Sequence, residues 1–418
     1  MSLKSELTKL ASDAQEAYRN ATGISSDTKN KVLEEMAKAL VDKKESIFRA
    51  NKKDILAAKS KGLSRAFIDR LTLSEKRIRE MSDSLSEIAA LADPVGEVIK
   101  AWRRPNGLWI HKVRQPIGVV AIIYESRPNV TSDCVGLCFK SGNSVILRGG
   151  SDSLHSNLSI FNILRDVLRE NHIPEGLVSM VSTSDRRAVA ELLKLKDHID
   201  LVMPRGGESL IDYVVSNARI PVIKHYKGIC HVYVDEWADL NMAARVCFNA
   251  KVQRPGVCNA MESMLVHREV AARFLPGMLK KFKEAKVEIR GCEMTNKIVK
   301  GLKTATEKDY RTEYLDLILS VKVVGSLEEA IRHINFYGSH HSDSIITENY
   351  AHAFEFLRRV DTACVYVNAS TRFTDGHQFG MGAEIGISTD KLHARGPMAL
   401  EELTTYKYMV FGEGQIRT

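Results

Sequence analysis

The sequence lacks several features that would each assign it to a class of protein. Its 418 residues contain no uninterrupted apolar run long enough to cross a bilayer, and residues 1–30 lack the apolar core of a signal peptide. Lys and Arg outnumber Asp and Glu by 60 to 52, but no dense basic run or aromatic-rich basic strand is present. We therefore expect a cytoplasmic protein without a membrane or nucleic-acid partner, whose formal charge of +8 favours an anionic small molecule.

Cysteines are few and scattered. They stand at positions 134, 138, 230, 247, 258, 292 and 364. Because their number is odd and their spacing wide, they predict reduced thiols rather than a disulfide framework. Cys134 and Cys138 lie one helical turn apart, but no second Cys/His pair has zinc-like spacing, so we interpret them as core residues and predict no metal. The pairs Cys230-His231 and His340-His341 are also interpreted as structural.

The sequence also lacks the G-x-G-x-x-G fingerprint of Rossmann dinucleotide-binding domains. The segment Gly380-Met-Gly382-Ala-Glu-Ile-Gly386 only approximates it, because its spacing differs and no predicted strand directly precedes it. A dinucleotide site in this chain would therefore need a different geometry.

Apolar segments of strand length alternate with helical patterns in two stretches of the chain. Residues 117–235 form the first stretch and those after Cys258 form the second, which predicts two parallel α/β sheets covered by helices. Residues 1–93 are predicted to be helical, with Lys29–Arg49 and Ser74–Leu91 as clear examples. The predicted strands are 119–124, 145–148, 177–181, 200–203, 232–235, 261–266, 287–289, 317–324, 343–346 and 364–368.

A hairpin and an isolated strand stand apart from this alternation. Glu97–Arg103 and Leu108–Arg114 flank Pro105-Asn106-Gly107, and Asn-Gly readily adopts the positive φ of a tight turn. Tyr406–Gly412 has the composition of a strand with no local partner. We expect a small sheet that joins subunits, and packing within one chain is the alternative.

Three predicted strand-to-helix loops carry glycine or anion-binding residues. They are Glu125–Thr131, Arg148–Ser151 and Pro204–Glu208. Glycines at such turns let backbone N–H groups approach a phosphate, and a helix N-terminus favours its charge. Because the carboxyl ends of parallel strands lie at one edge of a sheet, three such loops together favour a nucleotide.

Cys258 lies on a tight turn at Pro255-Gly256, between the helical pattern 239–251 and the predicted strand 261–266. A turn between two rigid elements exposes a side chain, and its backbone N–H groups can lower a thiol pKa and stabilise an oxyanion. Arg254 adds positive charge four residues away. The alternative is that Cys258 is a small buried hydrophobe, as most free cysteines are.

Taken together, these features resemble the aldehyde dehydrogenase superfamily. The most specific segment is Arg254-Pro-Gly-Val-Cys-Asn-Ala-Met-Glu262, in which Cys258 matches the catalytic cysteine. Asn129 falls near the superfamily's oxyanion asparagine, and Arg148 stands where relatives often have a lysine near the adenine ribose. The other segments that carry the resemblance are Pro116–Thr131, Gly142–Gly150, Tyr366–Gly376 and Phe379–Ser388.

The resemblance implies an aldehyde dehydrogenase-like fold with two parallel α/β lobes. It assigns 1–254, including the N-terminal helices, to nucleotide binding and 255–400 to catalysis, while 97–115 and 401–418 form a small oligomerisation flap. It further implies NADPH-dependent reduction of L-glutamate 5-phosphate to the semialdehyde and phosphate through a cysteinyl thioester, the second step of proline biosynthesis. The implied partners are further copies of the chain and an upstream glutamate kinase.

The candidate site residues fall into three groups, of which Cys258, Asn129 and Arg148 come from the resemblance and the others from the loops and from the substrate's charges. Cys258 and Asn129 are the catalytic candidates. The substrate's phosphate and carboxylate require cations and its ammonium requires an anion; for the cations a structural salt bridge is the alternative role. The substrate-binding candidates are Arg127, Arg254, Arg372 and Asp375. The cofactor-binding candidates are Arg148, Gly149, Ser151, Arg205, Gly206 and Gly207.

One departure from the superfamily's aldehyde-oxidising members concerns water. Those members carry a glutamate at the start of a Glu-Leu-Gly-Gly-Lys stretch that activates water to cleave the thioester. The corresponding region here is Ile223-Lys-His-Tyr-Lys-Gly228, which has no acid. Its absence predicts slow hydrolysis, so that the acyl group survives until hydride reaches it.

Three rival functions remain open at this stage. They are an aldehyde-oxidising or CoA-acylating dehydrogenase, a non-catalytic nucleotide-binding protein and a cysteine hydrolase. The last would need a histidine partner for the cysteine, and no local signature selects one. The candidates are His225, His231, His267 and His377.

Overall fold

Helices and strands alternate along most of the chain. The computed structural model describes residues 2–125, 127–224 and 227–417. The α-helices are α1 (Leu3–Asn20), α2 (Ser26–Asp42), α3 (Lys44–Ser60), α4 (Arg65–Leu71), α5 (Glu75–Ala90), α6 (Val130–Lys140), α7 (Leu154–Glu170), α8 (Arg187–Leu192), α9 (Glu208–Asn217), α10 (Leu240–Val252), α11 (Arg268–Glu284), α12 (Glu293–Ile298), α13 (Glu307–Tyr310), α14 (Leu327–Tyr337) and α15 (Tyr350–Arg359). The β-strands are β1 (Val98–Arg103), β2 (Trp109–Pro116), β3 (Val119–Tyr124), β4 (Ser144–Arg148), β5 (Val178–Met180), β6 (Leu201–Arg205), β7 (Cys230–Val234), β8 (Met261–His267), β9 (Glu288–Gly291), β10 (Lys303–Thr304), β11 (Ile318–Val324), β12 (Ser342–Ile346), β13 (Cys364–Val367), β14 (Ile387–Ser388), β15 (Gly396–Pro397) and β16 (Thr404–Phe411).

The chain divides into two units. The first comprises Met1–Lys224, Gly380–Gly386 and Met398–Thr418, and the second comprises His225–Phe379 and Ile387–Pro397. This division differs from the boundary after residue 254 that we predicted. The difference arises because β7 hydrogen-bonds in parallel to β8 and to β12, so its strand belongs to the second sheet. β7 and β12 lie far apart in the sequence, so no local pattern reveals that pairing.

The first unit is built on a parallel sheet with the strand order β5-β4-β3-β6. All residues of β3 and β4 are buried, as expected for strands covered on both faces. Val119, Ala121 and Ile123, which alternate along β3, pack in one core with Leu7 and Ala11 of α1. The predicted parallel α/β architecture is confirmed here.

The N-terminal helices follow their capping signals. Ser25 and Ser74 cap α2 and α5 by accepting backbone N–H groups three residues ahead, and the predicted helix Ser74–Leu91 is thereby confirmed. The prediction of one helix over Lys29–Arg49 is wrong, because the backbone leaves helical geometry at Lys43, where φ is −98° and ψ is 17°. Leu40 and Ile47 are nevertheless both buried, so the hydrophobic spacing alone did not reveal the break.

The hairpin and the C-terminal strand form a separate three-stranded antiparallel sheet with the order β1-β2-β16. Gly107 in the hairpin turn has φ of +93°, as the Asn-Gly signal predicts. The C-terminal strand, which has no local partner in the sequence, pairs along its length with β2, from Thr404 opposite Pro116 to Phe411 opposite Trp109. Pairing within one chain, the alternative interpretation, is thus observed, and a role of this sheet in joining subunits stays a prediction.

The second unit is built on a seven-stranded parallel sheet with the order β10-β9-β11-β8-β7-β12-β13. Helices α10 and α11 pack on one face in a core with Met264 and Val266, while α14 and α15 pack on the other with Tyr233 and Leu265. The turn 253–260 connects α10 to β8 and carries Cys258 at the amino-terminal edge of this sheet.

Candidate active site

Cys258 is a partly exposed cysteine on an irregular turn. Of the seven cysteines, Cys258 and Cys292 are partly exposed and the other five are buried. Burial raises the pKa of the thiols of Cys134, Cys138 and Cys247, so these cysteines are inert core residues, as predicted for Cys134 and Cys138. Cys258 is therefore not the fully buried hydrophobe of the alternative interpretation.

The start of β7 braces the backbone of this turn. A Cβ atom on Gly228 would lie 1.8 Å from the carbonyl oxygen and 2.5 Å from the Cα of Cys258, so the two peptides are in direct contact. The Cys230 thiol donates a hydrogen bond to the Cys258 carbonyl oxygen at 3.2 Å. Burial raises the pKa of Cys230 well above its usual value, which keeps this donor protonated. Only glycine fits at position 228, since the obstructing atoms are backbone.

Asn259 connects the turn to the segment that follows β13. Its Nδ2 donates to the Thr374 carbonyl at 2.8 Å, and its own carbonyl accepts the Thr371 hydroxyl at 2.7 Å. Its Oδ1 accepts a hydrogen bond from Arg372. Sequence reasoning did not single out Asn259, although its position next to the cysteine in the most specific motif was a usable signal.

Two of the predicted substrate-binding arginines lie close to this cysteine. Burial, reinforced by the Arg254 guanidinium, lowers the pKa of Arg372, and Cys258 and Asp375 oppose that effect. The Nε of Arg372 donates to the Gln253 side chain at 2.8 Å. Arg372 is thus electrostatically coupled to Arg254, to Asp375 and to Cys258. Asp375 also accepts the backbone N–H of His377 at 3.1 Å and so holds its own turn.

A buried ion pair links the two elements that flank the Cys258 turn, α10 and β8. Lys251, in the last turn of α10, and Glu262, at the start of β8, are 2.7 Å apart, and both side chains are fully buried. Burial raises the pKa of Glu262 to about 7, and burial lowers the pKa of Lys251. The second oxygen of Glu262 accepts the Leu315 N–H at 3.2 Å. This pair joins the two elements that flank Cys258.

The three candidate anion-binding loops of the first unit, two of which contain glycine, do lie at one edge of its sheet. They follow β3, β4 and β6, which are neighbours and parallel. A Cβ on Gly149 would lie 2.1 Å from Asn157 Nδ2, and one on Gly206 would lie 2.5 Å from Glu125 Oε2. Both glycines therefore allow a side chain of the same unit to lie close to the backbone, and their approach to a phosphate stays a prediction.

Internal carboxylates already occupy the helix N-termini at two of these loops. Asp54 accepts the N–H groups of His155 and Ser156 at 3.3 and 2.8 Å at the start of α7. Glu125 accepts the Gly207 N–H at 2.9 Å at the start of α9. Sequence reasoning missed both carboxylates, because neither lies in the helix that it caps.

Arg148 turns back over the end of its own strand. Its guanidinium donates to the carbonyl oxygens of Gly149 at 3.0 Å and Ser184 at 3.4 Å, while its buried Nε has no hydrogen-bond partner among the described residues. Burial, with Arg186 nearby, lowers the pKa of Arg148. Arg205 packs against Gly386, and Ser151 is exposed in the turn before α7.

Asn129 and Arg127 are exposed and lie just before α6 in the first unit. Asn129 has helical backbone angles, and its side chain makes no capping hydrogen bond to α6. Its carbonyl oxygen instead accepts the Ser132 hydroxyl at 2.8 Å. The Asn129 amide is thus not committed to the helix that it precedes.

Comparison with known proteins places this geometry in a family. The model of the aldehyde dehydrogenase family matches residues 2–298 and 290–409. The gamma-glutamyl phosphate reductase of Thermodesulfovibrio yellowstonii is 56% identical over 417 residues, which cover 100% of each chain. The chain belongs to the aldehyde dehydrogenase family.

Solved structures agree with that membership. The gamma-glutamyl phosphate reductase of Thermotoga maritima has a TM-score of 0.97 and 49% identity, and the match covers 99% of this chain and 100% of that one. An acetylating aldehyde dehydrogenase from Geobacillus thermoglucosidasius shares the fold at a TM-score of 0.70 with 18% identity, covering 100% and 98%. The fold inferred from the sequence motifs is confirmed.

Two of the candidate histidines, His231 and His267, have structural roles in the second unit. His231 is buried and bonded through Nδ1 to Asp343 at 2.9 Å, which supports its structural interpretation. His267 caps α11 by accepting the Glu269 N–H. His225 and Tyr226, in the stretch that lacks the aldehyde-oxidising glutamate, lie outside the described residues.

Among the described residues, no helix combines the length and apolar character needed to cross a membrane.

Proposed function

We propose that this family member reduces L-glutamate 5-phosphate to L-glutamate 5-semialdehyde and phosphate, with NADPH as reductant, in the second step of proline biosynthesis. The observation that carries the proposal is the full-length match to relatives named gamma-glutamyl phosphate reductase, at 56% identity over 417 residues. The chemistry of the Cys258 turn supports it, because a partly exposed thiol is electrostatically coupled to the guanidinium of Arg372, which is itself coupled to that of Arg254.

The first covalent step takes place at the sulfur of Cys258. The thiolate attacks the acyl phosphate carbonyl, the S–C bond forms, and the C–O bond to phosphate breaks as phosphate leaves. The N–H of Cys258 stabilises the tetrahedral oxyanion, and one such donor contributes about 3–4 kcal/mol in comparable sites. Asn129 is the proposed second donor. The product of this step is a thioester on Cys258.

Hydride reduction of the thioester is the chemistry that NADPH supplies when it is bound. The residues proposed to hold it are Arg148, Gly149, Ser151, Arg205, Gly206 and Gly207. The Nε of Arg148 supports the proposed cofactor site. It is buried and has no hydrogen-bond partner among the described residues, so an acceptor on the cofactor would satisfy it. A guanidinium at this position also suits the 2′-phosphate that distinguishes NADPH from NADH.

The substrate's charged groups require complementary side chains. We assign its phosphate and α-carboxylate to Arg254, Arg372 and Arg127, because guanidinium groups bind such oxyanions in bidentate fashion. Asp375 is the proposed partner of the ammonium group. The coupling of Arg372 to Arg254, to Asp375 and to Cys258 supports three of these assignments.

Assembly is part of the proposal. The outer strand of the three-stranded sheet exposes Tyr406, Tyr408, Val410 and Phe411, each between 46% and 55%. Exposed apolar side chains on an edge strand, here β16, which pairs with β2 on one side, favour association with another chain. We propose that this sheet joins copies into a homo-oligomer and that a glutamate kinase supplies the unstable acyl phosphate.

The test is NADPH oxidation with enzymatically generated glutamyl phosphate, comparing wild type with Cys258→Ala. We expect turnover by the wild type and a loss of at least about 1,000-fold in the variant, since the nucleophile is removed. A wild type that is silent with glutamyl phosphate but acylates CoA from a free aldehyde would instead support a CoA-acylating dehydrogenase.

A further inference from the structure

The segment Glu313–Leu315, here called the strap, is bonded to both sides of the turn that carries Cys258. On one side, Glu313 Oε1 accepts the Gly228 N–H at 2.9 Å. On the other side, the Leu315 N–H donates to Glu262 at 3.2 Å. The strap therefore connects the brace before β7 to the ion pair at the start of β8.

The strap is anchored in its middle and strained at its end. The Tyr314 hydroxyl is 3.0 Å from Asp309 Oδ1 and 2.8 Å from Ser320 Oγ. Leu315 has φ of +53°, a left-handed conformation that non-glycine residues rarely adopt. Such strain persists where the surroundings over-determine the backbone and is concentrated at functional sites. The hydrogen bonds on both sides of the strap account for the constraint.

The bond from Glu313 acts on the cysteine through a rigid backbone contact. Gly228 lies so close to Cys258 that a Cβ on residue 228 would be 2.4 Å from the Cys258 carbonyl carbon. Fixing Gly228 therefore fixes the Cα and the carbonyl group of Cys258, against which it packs. The adjacent Ile229 N–H is also held, by Ser339 Oγ at 2.8 Å. The orientation of the Cys258 main chain thus depends on acceptors located far from it in the sequence.

We propose that Glu313 is a positioning residue for the reaction at Cys258. By accepting the Gly228 N–H, its carboxylate holds the Cys258 main chain so that the N–H of Cys258 points at the developing oxyanion. This inference rests on the proposed function, in which that N–H stabilises the tetrahedral intermediate. Misplacement of a reacting group by about 1 Å can cost about 100-fold in rate, so a loosened brace is expected to lower kcat.

The hydrogen bond and the charge of Glu313 have separable effects. Glutamine at 313 still offers an oxygen to the Gly228 N–H but carries no charge, whereas alanine removes both. The carboxylate is close enough to the cysteine pair to help raise the pKa of Cys230. Removing the charge in either variant should therefore shift ionisation of Cys258 to lower pH, while only the alanine variant should lose the positioning.

The experiment compares Glu313→Ala, Glu313→Gln and a matched control, Glu329→Ala. Glu329 Oε2 accepts the Gly325 N–H at 2.7 Å in the same unit, so the control removes the same type of bond elsewhere. We expect Glu313→Ala to lower kcat by about 10- to 100-fold with little change in KM. Glu313→Gln and Glu329→Ala should stay within about threefold of wild type. Equal kcat in Glu313→Ala and Glu329→Ala, or equal losses in Glu313→Ala and Glu313→Gln, would overturn the proposal.

A second measurement does not depend on the proposed substrate. The rate of Cys258 alkylation by iodoacetamide is followed by peptide mass spectrometry between about pH 6 and pH 9. Its midpoint should move to lower pH in both Glu313 variants and stay in place in Glu329→Ala. A Glu313 carboxylate directed away from the Cys258 turn predicts no such movement, and it could not then hold the Gly228 N–H beside Cys258. If the wild type reduces no glutamyl phosphate, the proposed function fails, whereas an unmoved midpoint means that the inference about Glu313 fails.

Discussion

The two units use opposite edges of their parallel sheets. In the first unit the candidate cofactor loops follow β3, β4 and β6, at the carboxyl ends of the strands. In the second unit the turn of Cys258 precedes β8, and its brace at Gly228 precedes β7, at the amino ends. The rule that ligands bind at carboxyl ends therefore agrees with the proposed nucleotide loops of this chain but does not locate its proposed nucleophile.

This difference determines which groups can supply positive charge to the candidate site of each unit. Helices α7 and α9 begin at the carboxyl edge of the first sheet, so their N-termini offer partial positive charge, which Asp54 and Glu125 partly use. At the amino edge of the second sheet α10 has just ended, and a helix C-terminus disfavours a thiolate. Positive charge there has to come from other groups, and this is why we propose Arg254 and Arg372 for that role.

The strongest test of the contrast replaces one close-packed glycine in each unit. Gly228→Ala should lower kcat by more than about 100-fold, because its Cβ would meet the backbone of Cys258, which cannot move aside. Gly149→Ala should mainly raise the KM for NADPH, by about tenfold, because its Cβ would meet the Asn157 side chain, which can adjust. Steady-state kinetics with both substrates measures the two effects. Similar kinetic defects in both variants would remove the distinction between the edges.

A second test compares the buried ion pairs of the two units. Lys251→Met leaves Glu262 buried without its cation and should cost about 3–5 kcal/mol in the free energy of unfolding. Because the pKa of Glu262 in the folded protein, about 7, is above its unfolded value, the folded state holds a proton that the unfolded state has lost. Stability should therefore fall as pH rises from 4.5 to about 7, and in the variant the fall should continue to higher pH, because Lys251 no longer lowers the pKa of Glu262.

Lys29→Met is the matched variant in the first unit, where Lys29 and Asp93 are 2.9 Å apart and almost fully buried. It should destabilise the chain as well, but the surviving activity per folded molecule should fall only in Lys251→Met. Denaturant unfolding and kinetics on the folded fraction separate these outcomes. Equal activity of both folded variants would show that the pair beside Cys258 is only structural.

A third test concerns the loss of stability of the second unit at acidic pH. Burial lowers the pKa of His333, in the second unit, from 6.5 to about 2. Its unfolded form takes up a proton below pH 6.5 while its folded form does not, so its stabilising contribution is present above pH 6.5 and is lost as pH falls. The loss should approach about 1.4 kcal/mol per pH unit, and His333→Leu should remove this share of the slope. Unfolding curves from neutral to mildly acidic pH measure it; an unchanged slope in the variant would contradict the assignment.

The smallest effect is expected at the N-terminus of α9. Glu125→Gln keeps an acceptor for the Gly207 N–H at 2.9 Å but removes a negative charge beside a proposed phosphate site. We expect the Kd for NADPH to fall by about threefold, with the effect weakening at high salt. Fluorescence titration measures it. Weaker NADPH binding by the variant would indicate that the charge of Glu125 supports the site rather than competing for it.

Much of the fold could be predicted because its signals are local. The buried run Val119–Tyr124 and the apolar strands after Cys258 match the observed strands closely. The capping serines and the Asn-Gly turn likewise act through neighbouring residues. The prediction of one helix through Lys43 failed because hydrophobic spacing is the same for one long helix and for two helices in succession.

The sequence alone determined which residues are candidates for binding and catalysis: a cysteine on a turn, glycines after strands, and arginines nearby. Tertiary structure alone decided what those residues contact. Gly228 packs against Cys258, Glu313 accepts a hydrogen bond from the Gly228 N–H, and β16 pairs with β2. In each case many residues separate the partners in the sequence, and no local pattern encodes the contact. The physical reason is that periodicity and turn chemistry act over a few residues, whereas the environment of a side chain depends on which distant segments the folded core brings beside it.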